Sequence, residues 1–467
     1  MSNGIALSQS IWIDHIMPYL LTDFIETNCI NPIYALRSTC KFFVHRVFTD
    51  NGCKKLFYYI GLGHNIIYDN SINLIKEISL TISLICHPME NTIEYVFTNS
   101  HINVLNWWLD SKQQFEYIEK AIDNASENGN IVVMDWWNKS HHVILPYSAN
   151  AINYASCNGH IDVLNRWLFR TQNTVYNFPL KYTIDAIDFA SENGQVDVLQ
   201  WWLDSGLKLK YSENAIDNAC QYGHIHVLNW WLESELKLKY SEWAINYASA
   251  YGLINILDWW LESGLQLKYN DVAMDRASTN GHVNVLNWWL IRSSRTYELE
   301  LKYSELAVDN ASSNGYVSVL DWWLNSGLEF RYSASAIDKA SSKGHVNVLD
   351  WWWQASNHKQ IIEFVYSKYA IDWASHNGKL DVLQWWLQSG LELRYSDWAI
   401  NFPSYDGKIK ILDWWLAASK TNGLEIKYSQ WAFDNITRYP DVLKWWKQYF
   451  SETNVQLKYP SVLLSIE

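Results

Sequence analysis

A glycine followed seven and eight residues later by a tryptophan pair recurs along most of this chain. Successive glycines are most often 29 residues apart, with insertions of one, five or six residues between some of them. Self-similarity at such a period is typical of stacked arrays in which each repeat contacts mainly its neighbours. With a degenerate repeat before Trp107-Trp108 and a shortened one around Trp445-Trp446, the sequence predicts about twelve repeats. The full repeats have their glycines at Gly129, Gly159, Gly194, Gly223, Gly252, Gly281, Gly315, Gly344, Gly378 and Gly407.

Each repeat carries the start and stop signals of two short helices. Ser212 has a side-chain oxygen that can accept from the first turn of a helix predicted over 213–221. Gly223 can end that helix in a left-handed conformation, and a second helix is predicted over 225–234. The alternating Leu207-Lys208-Leu209-Lys210-Tyr211 that links two repeats predicts a brief strand or finger.

The order of these signals resembles the ankyrin repeat. Ala190-Ser191 stands for the Ala-Ala of that family, Gly223-His224 for its Gly-His, and Val227-Leu228 for its leucine-rich second helix. Tandem repeats of this form look most like ankyrin-type proteins of giant amoebal DNA viruses. The resemblance implies an all-α, ankyrin-like α-solenoid over residues 91–467, built from short helix-turn-helix repeats.

Residues 1–50 have a different pattern, with apolar residues on a helical spacing, a break, and then the run A-L-R-S-T-C-K-F-F. This order resembles an F-box, which implies docking onto a Skp-type adaptor of a cullin-RING ubiquitin ligase. The alternative is a helical cap on the first repeat. Residues 51–90 are predicted to be a helical linker or cap. The candidate adaptor-docking residues are Ile11, Trp12, Ile16, Leu20, Leu36 and Phe42.

A helical wheel separates the two tryptophans of each pair. At about 100° per residue, Trp231 falls beside Val227 and Leu228, whereas Trp230 falls at the edge of the apolar arc. The second Trp is present in every repeat, but Arg166 replaces the first in one. The second is therefore predicted to be core, and the first to pack within or between repeats. Exposed platforms for sugars or bases are the alternative. The predicted core tryptophans are Trp108, Trp137, Trp167, Trp202, Trp231, Trp260, Trp289, Trp323, Trp352, Trp386, Trp415 and Trp446.

Two recurring polar positions could belong to a catalytic site or a metal site. An Asp or Asn, as in Asp217 and Asn246, holds the third place of each A-I-D-like motif. Because Asn cannot act as a general base or balance a metal charge, we expect a structural hydrogen bond there. A histidine follows some of the glycines, as in His224 and His282, but one per repeat cannot converge on one ion. No metal, cofactor or catalytic motif is expected, so the chain is predicted not to be an enzyme.

The connectors repeat a basic residue followed by tyrosine. Stacked repeats would align these residues into a stripe that can hold an acidic peptide or a phosphate chain. In the alternative, the tyrosines pack between repeats and the cations are solvated or paired with acids. The candidate partner-binding residues are Lys210, Tyr211, Lys239, Tyr240, Lys268, Tyr269, Lys302, Tyr303, Arg331 and Tyr332.

Charge and composition narrow the function classes. The net charge of −13 argues against general affinity for nucleic acid or an anionic membrane. No run is long and apolar enough to span a bilayer, and the six cysteines follow no disulfide or zinc spacing. We expect an intracellular monomer, in the cytoplasm of a host cell on the viral resemblance. The predicted function is a protein-protein interaction scaffold, as an adapter for a host ubiquitin ligase on the F-box resemblance. The alternative is nucleic-acid or phosphate-chain binding along the Lys/Tyr stripe.

Overall fold

The structure is a computed structural model that describes residues 90–111, 118–139, 146–172, 180–295, 299–359 and 362–453. All regular elements in these ranges are helices, which confirms the all-α prediction. The F-box-like module at 1–50 and its candidate docking residues lie outside the described ranges, as does the predicted linker up to residue 89. The chain divides into two compact parts, residues 1–239 and 240–467, called here the first and second halves.

Helices follow one another in pairs in both halves. The described part of the first half contains α1 (Glu90–Thr98), α2 (Ile102–Ser111), α3 (Ile118–Glu127), α4 (Ile131–Lys139), α5 (Asn150–Cys157), α6 (Ile161–Gln172), α7 (Asp185–Glu192), α8 (Val196–Asp204), α9 (Asn214–Gln221) and α10 (Ile225–Glu233). That of the second half contains α11 (Trp243–Ala250), α12 (Ile254–Glu262), α13 (Val272–Thr279), α14 (Val283–Arg295), α15 (Leu306–Ser313), α16 (Val317–Asn325), α17 (Ser335–Lys343), α18 (Val346–Lys359), α19 (Tyr369–His376), α20 (Leu380–Gln388), α21 (Trp398–Tyr405), α22 (Ile409–Asn422) and α23 (Pro440–Thr453). Two short 3-10 helices, Gln430–Phe433 and Ile436–Arg438, precede α23.

The ends of these helices follow from the serine and glycine of each repeat. The Ser212 Oγ accepts the backbone N–H of Asn214 at 3.1 Å, which satisfies a donor in the first turn of α9. Gly223 has a φ of 77°, and the N–H after it donates back to Ala219 O at 2.9 Å. In this repeat, α9 and α10 match the predicted helices at 213–221 and 225–234 to within one residue at each end.

Close packing adds a second requirement at the glycines. A Cβ at Gly252, which has a φ of 76°, would lie 2.9 Å from the His282 ring of the next repeat. The histidine after each such glycine therefore packs against the neighbouring turn rather than facing a ligand.

The core of each half lies between the first and second helices of successive repeats. Within each half, the first helices pack on one another and on the second helix of their own repeat. Small residues on the first helix allow this close approach, and large ones on the second helix fill the space behind it. In the repeat of α17 and α18 the buried residues are Ala336, Ile337, Ala340, Val348, Leu349 and Trp352.

The connectors are extended but form no strand in the described residues, so the predicted strand is wrong. A side-chain hydrogen bond takes the place of backbone strand pairing: the Tyr211 hydroxyl donates to Lys237 O of the next connector at 2.9 Å. One such bond per repeat ties adjacent connectors together without the paired backbone bonds of a sheet.

Candidate functional site

The connector tyrosines join two kinds of contact. The Tyr211 ring packs on Trp231 of its own repeat, with ring centroids 4.9 Å apart. Its hydroxyl reaches the following connector, so burial of the ring is combined with a satisfied polar end. Burial raises the pKa of this phenol, as it does for Tyr240, Tyr269 and Tyr332. The hydroxyls of Tyr240, Tyr269 and Tyr332 donate in the same way to the carbonyls of Gln266, Glu300 and Glu363, at 3.1, 2.9 and 2.9 Å.

The basic residue of each connector contacts the tyrosine of the preceding repeat. Lys239 Nζ donates to Tyr211 O at 2.7 Å and lies 4.4 Å from the centroid of that ring. Such cation–π contacts stabilise by about 0.5–1 kcal/mol at exposed sites. The same placement holds for Lys210 over Tyr182, Lys268 over Tyr240, Lys302 over Tyr269 and Arg331 over Tyr303, at 4.3, 4.3, 5.0 and 4.9 Å. The structure thus brings the ten candidate residues into the inter-repeat packing of their own halves.

Carboxylates dominate the outer edge of the second-half connectors. An exposed glutamate stands two residues before the basic residue or its equivalent at Glu300, Glu329, Glu363, Glu392 and Glu425. Two of these hold an arginine of their own connector, at 2.7 Å for Arg331–Glu329 and 2.8 Å for Arg394–Glu392. In the first half the corresponding places are taken by exposed lysines, Lys208 and Lys237.

A groove of about 770 Å³ opens between two of these connectors. It is called here the connector groove. Three aromatic rings line it, and its charged residues are mainly acidic. The rings are Tyr303, Phe330 and Tyr332, the acids are Asp271, Glu305 and Glu329, and Arg331 is the cation. The groove therefore favours a ligand with apolar and cationic groups.

The second tryptophan of most described pairs is a buried donor to a serine of the preceding repeat. In the first half, Trp231 Nε1 donates to Ser191 Oγ, in the first helix of the preceding repeat, at 3.1 Å. In the second half, Trp352 Nε1 donates to Ser312 Oγ at 3.0 Å. Sequence reasoning missed this serine, which it treated only as the match to a family alanine. The predicted core tryptophans are fully buried at Trp137, Trp167, Trp202, Trp231, Trp260, Trp289, Trp323, Trp352, Trp386, Trp415 and Trp446. The side chain of Trp108 lies outside the described part.

The first tryptophan of most described pairs donates to the preceding repeat as well, whereas the buried Nε1 of Trp445 has no acceptor among the described residues. Trp351 Nε1 lies 2.7 Å from Asp321 Oδ1, and Asp321 is the residue just before the preceding Trp pair. Where Arg166 replaces the first Trp, its Nε donates to Asp135 Oδ1 at 2.9 Å, and Asp135 holds the equivalent place. The arginine thus keeps the inter-repeat bond, which explains why this position accepts a charge. Both tryptophans of the pair therefore contribute to packing between repeats. This counts against the alternative in which they form exposed platforms for sugars or bases.

The Asp/Asn ladder orients the serine that caps the next repeat. Asp309 Oδ1 accepts the Ser333 N–H at 2.8 Å, and its Oδ2 accepts the Ser333 hydroxyl at 2.5 Å. At Asn401 the second bond is reversed, because the amide nitrogen donates to Ser429 Oγ at 2.7 Å while Oδ1 still accepts the Ser429 N–H. Carboxylate and amide are thus both compatible with the same fold, as expected of a structural hydrogen bond.

Burial raises the pKa of the ladder carboxyls, and the serine hydrogen bonds only partly offset it. The folded state therefore binds protons above pH 3.8 that the unfolded chain does not, so its stability rises as pH falls toward that value. We expect the denaturation midpoint of Asp309→Asn minus that of the wild type to decrease between pH 7 and pH 4. Taking this difference cancels the histidines, whose pKa burial lowers, as at His345. An increasing difference would show instead that the ionised carboxylate is the favoured form.

The remaining candidate features of the described residues are metal ligands, thiols and membrane-spanning helices. No group of three or more His, Cys, Asp or Glu that could hold a metal is present among them. Cys157 and Cys220 are free thiols. Within the described ranges, no helix has the length and apolar character needed to cross a bilayer.

Comparisons with known proteins add one structural similarity. No family model matches the sequence, and no curated protein matches it. The crystal structure of the pentatricopeptide repeat protein PPR10 in complex with an 18-nt psaJ RNA element is similar at a TM-score of 0.35 and 9% sequence identity. The match covers 96% of this chain and 70% of that chain. The successive helix pairs of this chain make it a helical repeat protein.

Proposed function

We propose that this chain is a non-enzymatic protein-interaction scaffold that binds a basic segment of a partner protein in the connector groove. The observation that supports this most is the distribution of charge on the second-half connectors. Their lysines and arginines lie over tyrosine rings of the preceding repeat, while Asp271 and Glu305 line the groove with no ion pair among the described residues. A cationic side chain would find both carboxylates and ring faces there.

The same distribution counts against nucleic-acid or phosphate-chain binding, which is the alternative function. A phosphate chain needs cations whose donors are available to it. Arg331 instead gives Nε and Nη2 to Glu329 at 2.8 and 2.7 Å, and Nη1 to Tyr303 O at 3.2 Å. Lys268, Lys302 and Arg331 also cover one face of the Tyr240, Tyr269 and Tyr303 rings, which reduces the stacking surface for bases along the stripe.

The test is fluorescence polarisation of the full chain with three labelled probes: an Arg/Gly peptide, a Glu/Gly peptide of equal length and a single-stranded oligonucleotide. We expect binding of the Arg/Gly peptide alone. Asp271 and Glu305 are exposed, and two exposed ion pairs with a bound peptide together contribute about 1.4 kcal/mol, so reversing both to lysine should weaken binding about tenfold. The matched control reverses Glu262 and Asp381, which are exposed on second helices away from the groove. Equal weakening by the control, or binding of the oligonucleotide alone, would contradict the proposal.

We further propose, on the F-box resemblance of residues 1–50, that the bound partner is presented to a host ubiquitin ligase. The module lies outside the described residues, so the sequence alone supports this step. The expected result is capture of a Skp-type adaptor or cullin from host lysate by the full chain, and loss of that capture when residues 1–50 are removed. Capture that survives the truncation, or none with the full chain, contradicts the adapter role and leaves the scaffold proposal standing.

A further inference from the structure

Two positions of the first helices are aromatic in consecutive repeats near the end of the described chain, as they also are in the isolated case of α11, with Trp243 and Tyr247. They lie two and six residues after the capping serine, and therefore on one face of the helix. In α17 these positions are Ser335 and Lys339, and in α9 they are Asn214 and Asn218. The repeat fold therefore does not need aromatic side chains there. In α19 they are Tyr369 and Trp373, in α21 they are Trp398 and Phe402, and the next repeat begins with Trp431.

These rings form one continuous surface, called here the aromatic ladder: Tyr369, Trp373, Trp398, Phe402, Tyr405 and Trp431. Ring centroids lie 4.9 Å apart for Tyr369–Trp373, 6.0 Å for Tyr369–Trp398, 5.6 Å for Trp398–Phe402, 4.8 Å for Phe402–Trp431 and 5.5 Å for Tyr405–Trp431. Trp398 remains 39% exposed and Tyr405 37% exposed. The other four rings are half-buried, so the ladder is a contiguous, partly exposed aromatic surface, which is typical of an interaction site.

The indole N–H groups of the ladder differ from those of the repeat core. Core and rim tryptophans such as Trp352 and Trp351 donate to protein side chains. Among the described residues, no acceptor lies within hydrogen-bond distance of the Nε1 of Trp373, Trp398 or Trp431. The ladder therefore offers hydrogen-bond donors together with ring faces.

Charges beside the ladder balance one another. Asp406 accepts from Lys408 Nζ at 2.7 Å and lies 3.3 Å from His376 Nε2, and the His376 ring stacks on Phe402 at 4.0 Å. On the other side, Lys368 lies 5.5 Å above Tyr369 and 5.9 Å above Trp398, and Asp397 is next to Trp398 in sequence. Two cations face two carboxylates, so an uncharged ligand is the complementary one.

We infer that the aromatic ladder docks an uncharged, proline-rich segment of a partner protein in the polyproline II conformation. Such segments expose carbonyl acceptors with no internal hydrogen bonds, and aromatic-lined grooves recognise them. Their turn of three residues rises about 9 Å, which matches the roughly 8–10 Å between packed helices. Successive turns of the segment thus meet α19, α21 and the 3-10 helix at Gln430–Phe433. The hydroxyls of an oligosaccharide also donate hydrogen bonds and need acceptors, which indole N–H groups do not supply.

The inference rests on the chain being a protein-binding scaffold but uses a different surface from the connector groove. Fluorescein-labelled decaproline is titrated with the full chain, and saturable binding is expected. Trp398→Asn, which installs the residue found at the same position in α9, should weaken binding at least about tenfold. Trp243→Asn is the matched control, because Trp243 holds the same place in α11 and lies outside the ladder. Should Trp398→Asn alter the circular dichroism midpoint, Tyr405→Ser gives the second readout.

Three results would overturn the inference: no saturable binding of decaproline, equal weakening by Trp243→Asn, or displacement of decaproline by a neutral hexasaccharide. Self-association that Trp398→Asn abolishes, without decaproline binding, would assign the ladder to a second copy of the chain. Decaproline binding that persists in the Asp271→Lys, Glu305→Lys variant supports the ladder as a separate surface. Failure of the Arg/Gly peptide with retained decaproline binding would reject the connector groove alone.

Discussion

Replacing Trp352 with alanine is expected to lower the free energy of unfolding by about 3–5 kcal/mol, the largest loss for any single position described. Its indole is fully buried, packs on Tyr332 at a centroid distance of 4.9 Å, and donates to Ser312 Oγ at 3.0 Å. Truncation leaves a cavity and a serine without its donor, and neighbouring repeats can close only part of that space. Urea denaturation followed by far-UV circular dichroism measures the loss, since the signal does not depend on tryptophan emission.

The matched control is the adjacent Trp351→Arg. Arg166 already occupies this place in another repeat and bonds Asp135, so an arginine at 351 can bond Asp321 in the same way. We expect a change within about 1 kcal/mol, as for other exposed ion pairs. Equal losses from the two variants would show that the pair is one packing unit and that the wheel does not separate its members.

Much of one repeat could be predicted because its signals are local. Ser212 accepts from the N–H two residues on, and Gly223 needs a left-handed backbone, so both helix ends follow from neighbouring residues. The wheel around Val227 likewise orders Trp230 and Trp231 by burial, since helical geometry alone decides which side chain faces inward.

Contacts between repeats could not be predicted in the same way, because they depend on the rotation and shift from one repeat to the next. The serine that accepts from the second Trp lies 40 residues earlier at Trp352, and the acceptor for the first Trp lies 30 residues earlier. One signal was present in the sequence. The residue before each Trp pair has a side-chain oxygen from Asn106 to Asp413, and only Lys444 before the last pair lacks one.

The connectors show why a correct pattern can still predict the wrong structure. Alternation in Leu207–Tyr211 fits a strand, yet strand pairing needs a backbone partner in register. The tyrosine hydroxyl donates to a carbonyl of the next connector, as Tyr182 does to Lys208 O. The lysine ammonium donates to the carbonyl of the tyrosine in the preceding repeat, as Lys210 does to Tyr182 O. Side chains thus satisfy the backbone groups that a sheet would have used, and the same contacts remove these cations from ligand binding.

Removing the carboxyl of Asp338 is expected to have the second largest effect. Asp338 is buried, and its two oxygens accept the Ser367 N–H at 2.9 Å and the Ser367 hydroxyl at 2.5 Å. Ser367 Oγ in turn accepts the N–H of Tyr369 at 3.1 Å, at the start of α19. Asp338→Ala leaves the Ser367 N–H without an acceptor and frees the hydroxyl that caps the next helix. The expected cost is about 1–3 kcal/mol in urea denaturation.

Asp338→Asn is the control that separates hydrogen bonding from charge. Asn153 shows how an amide fits: its Oδ1 accepts the Thr183 N–H at 3.2 Å, and its Nδ2 donates to Thr183 Oγ1 at 2.8 Å. The Thr183 hydroxyl in turn donates a hydrogen bond to Asp185 Oδ2 at 2.8 Å. Residue 369, the position that matches Asp185, is a tyrosine, so Ser367 would have to turn its hydroxyl to water, and a small loss is expected. If Asp338→Asn lowers the free energy of unfolding as much as Asp338→Ala, the Asp/Asn ladder acts through charge. A cation site along it would then be the better interpretation.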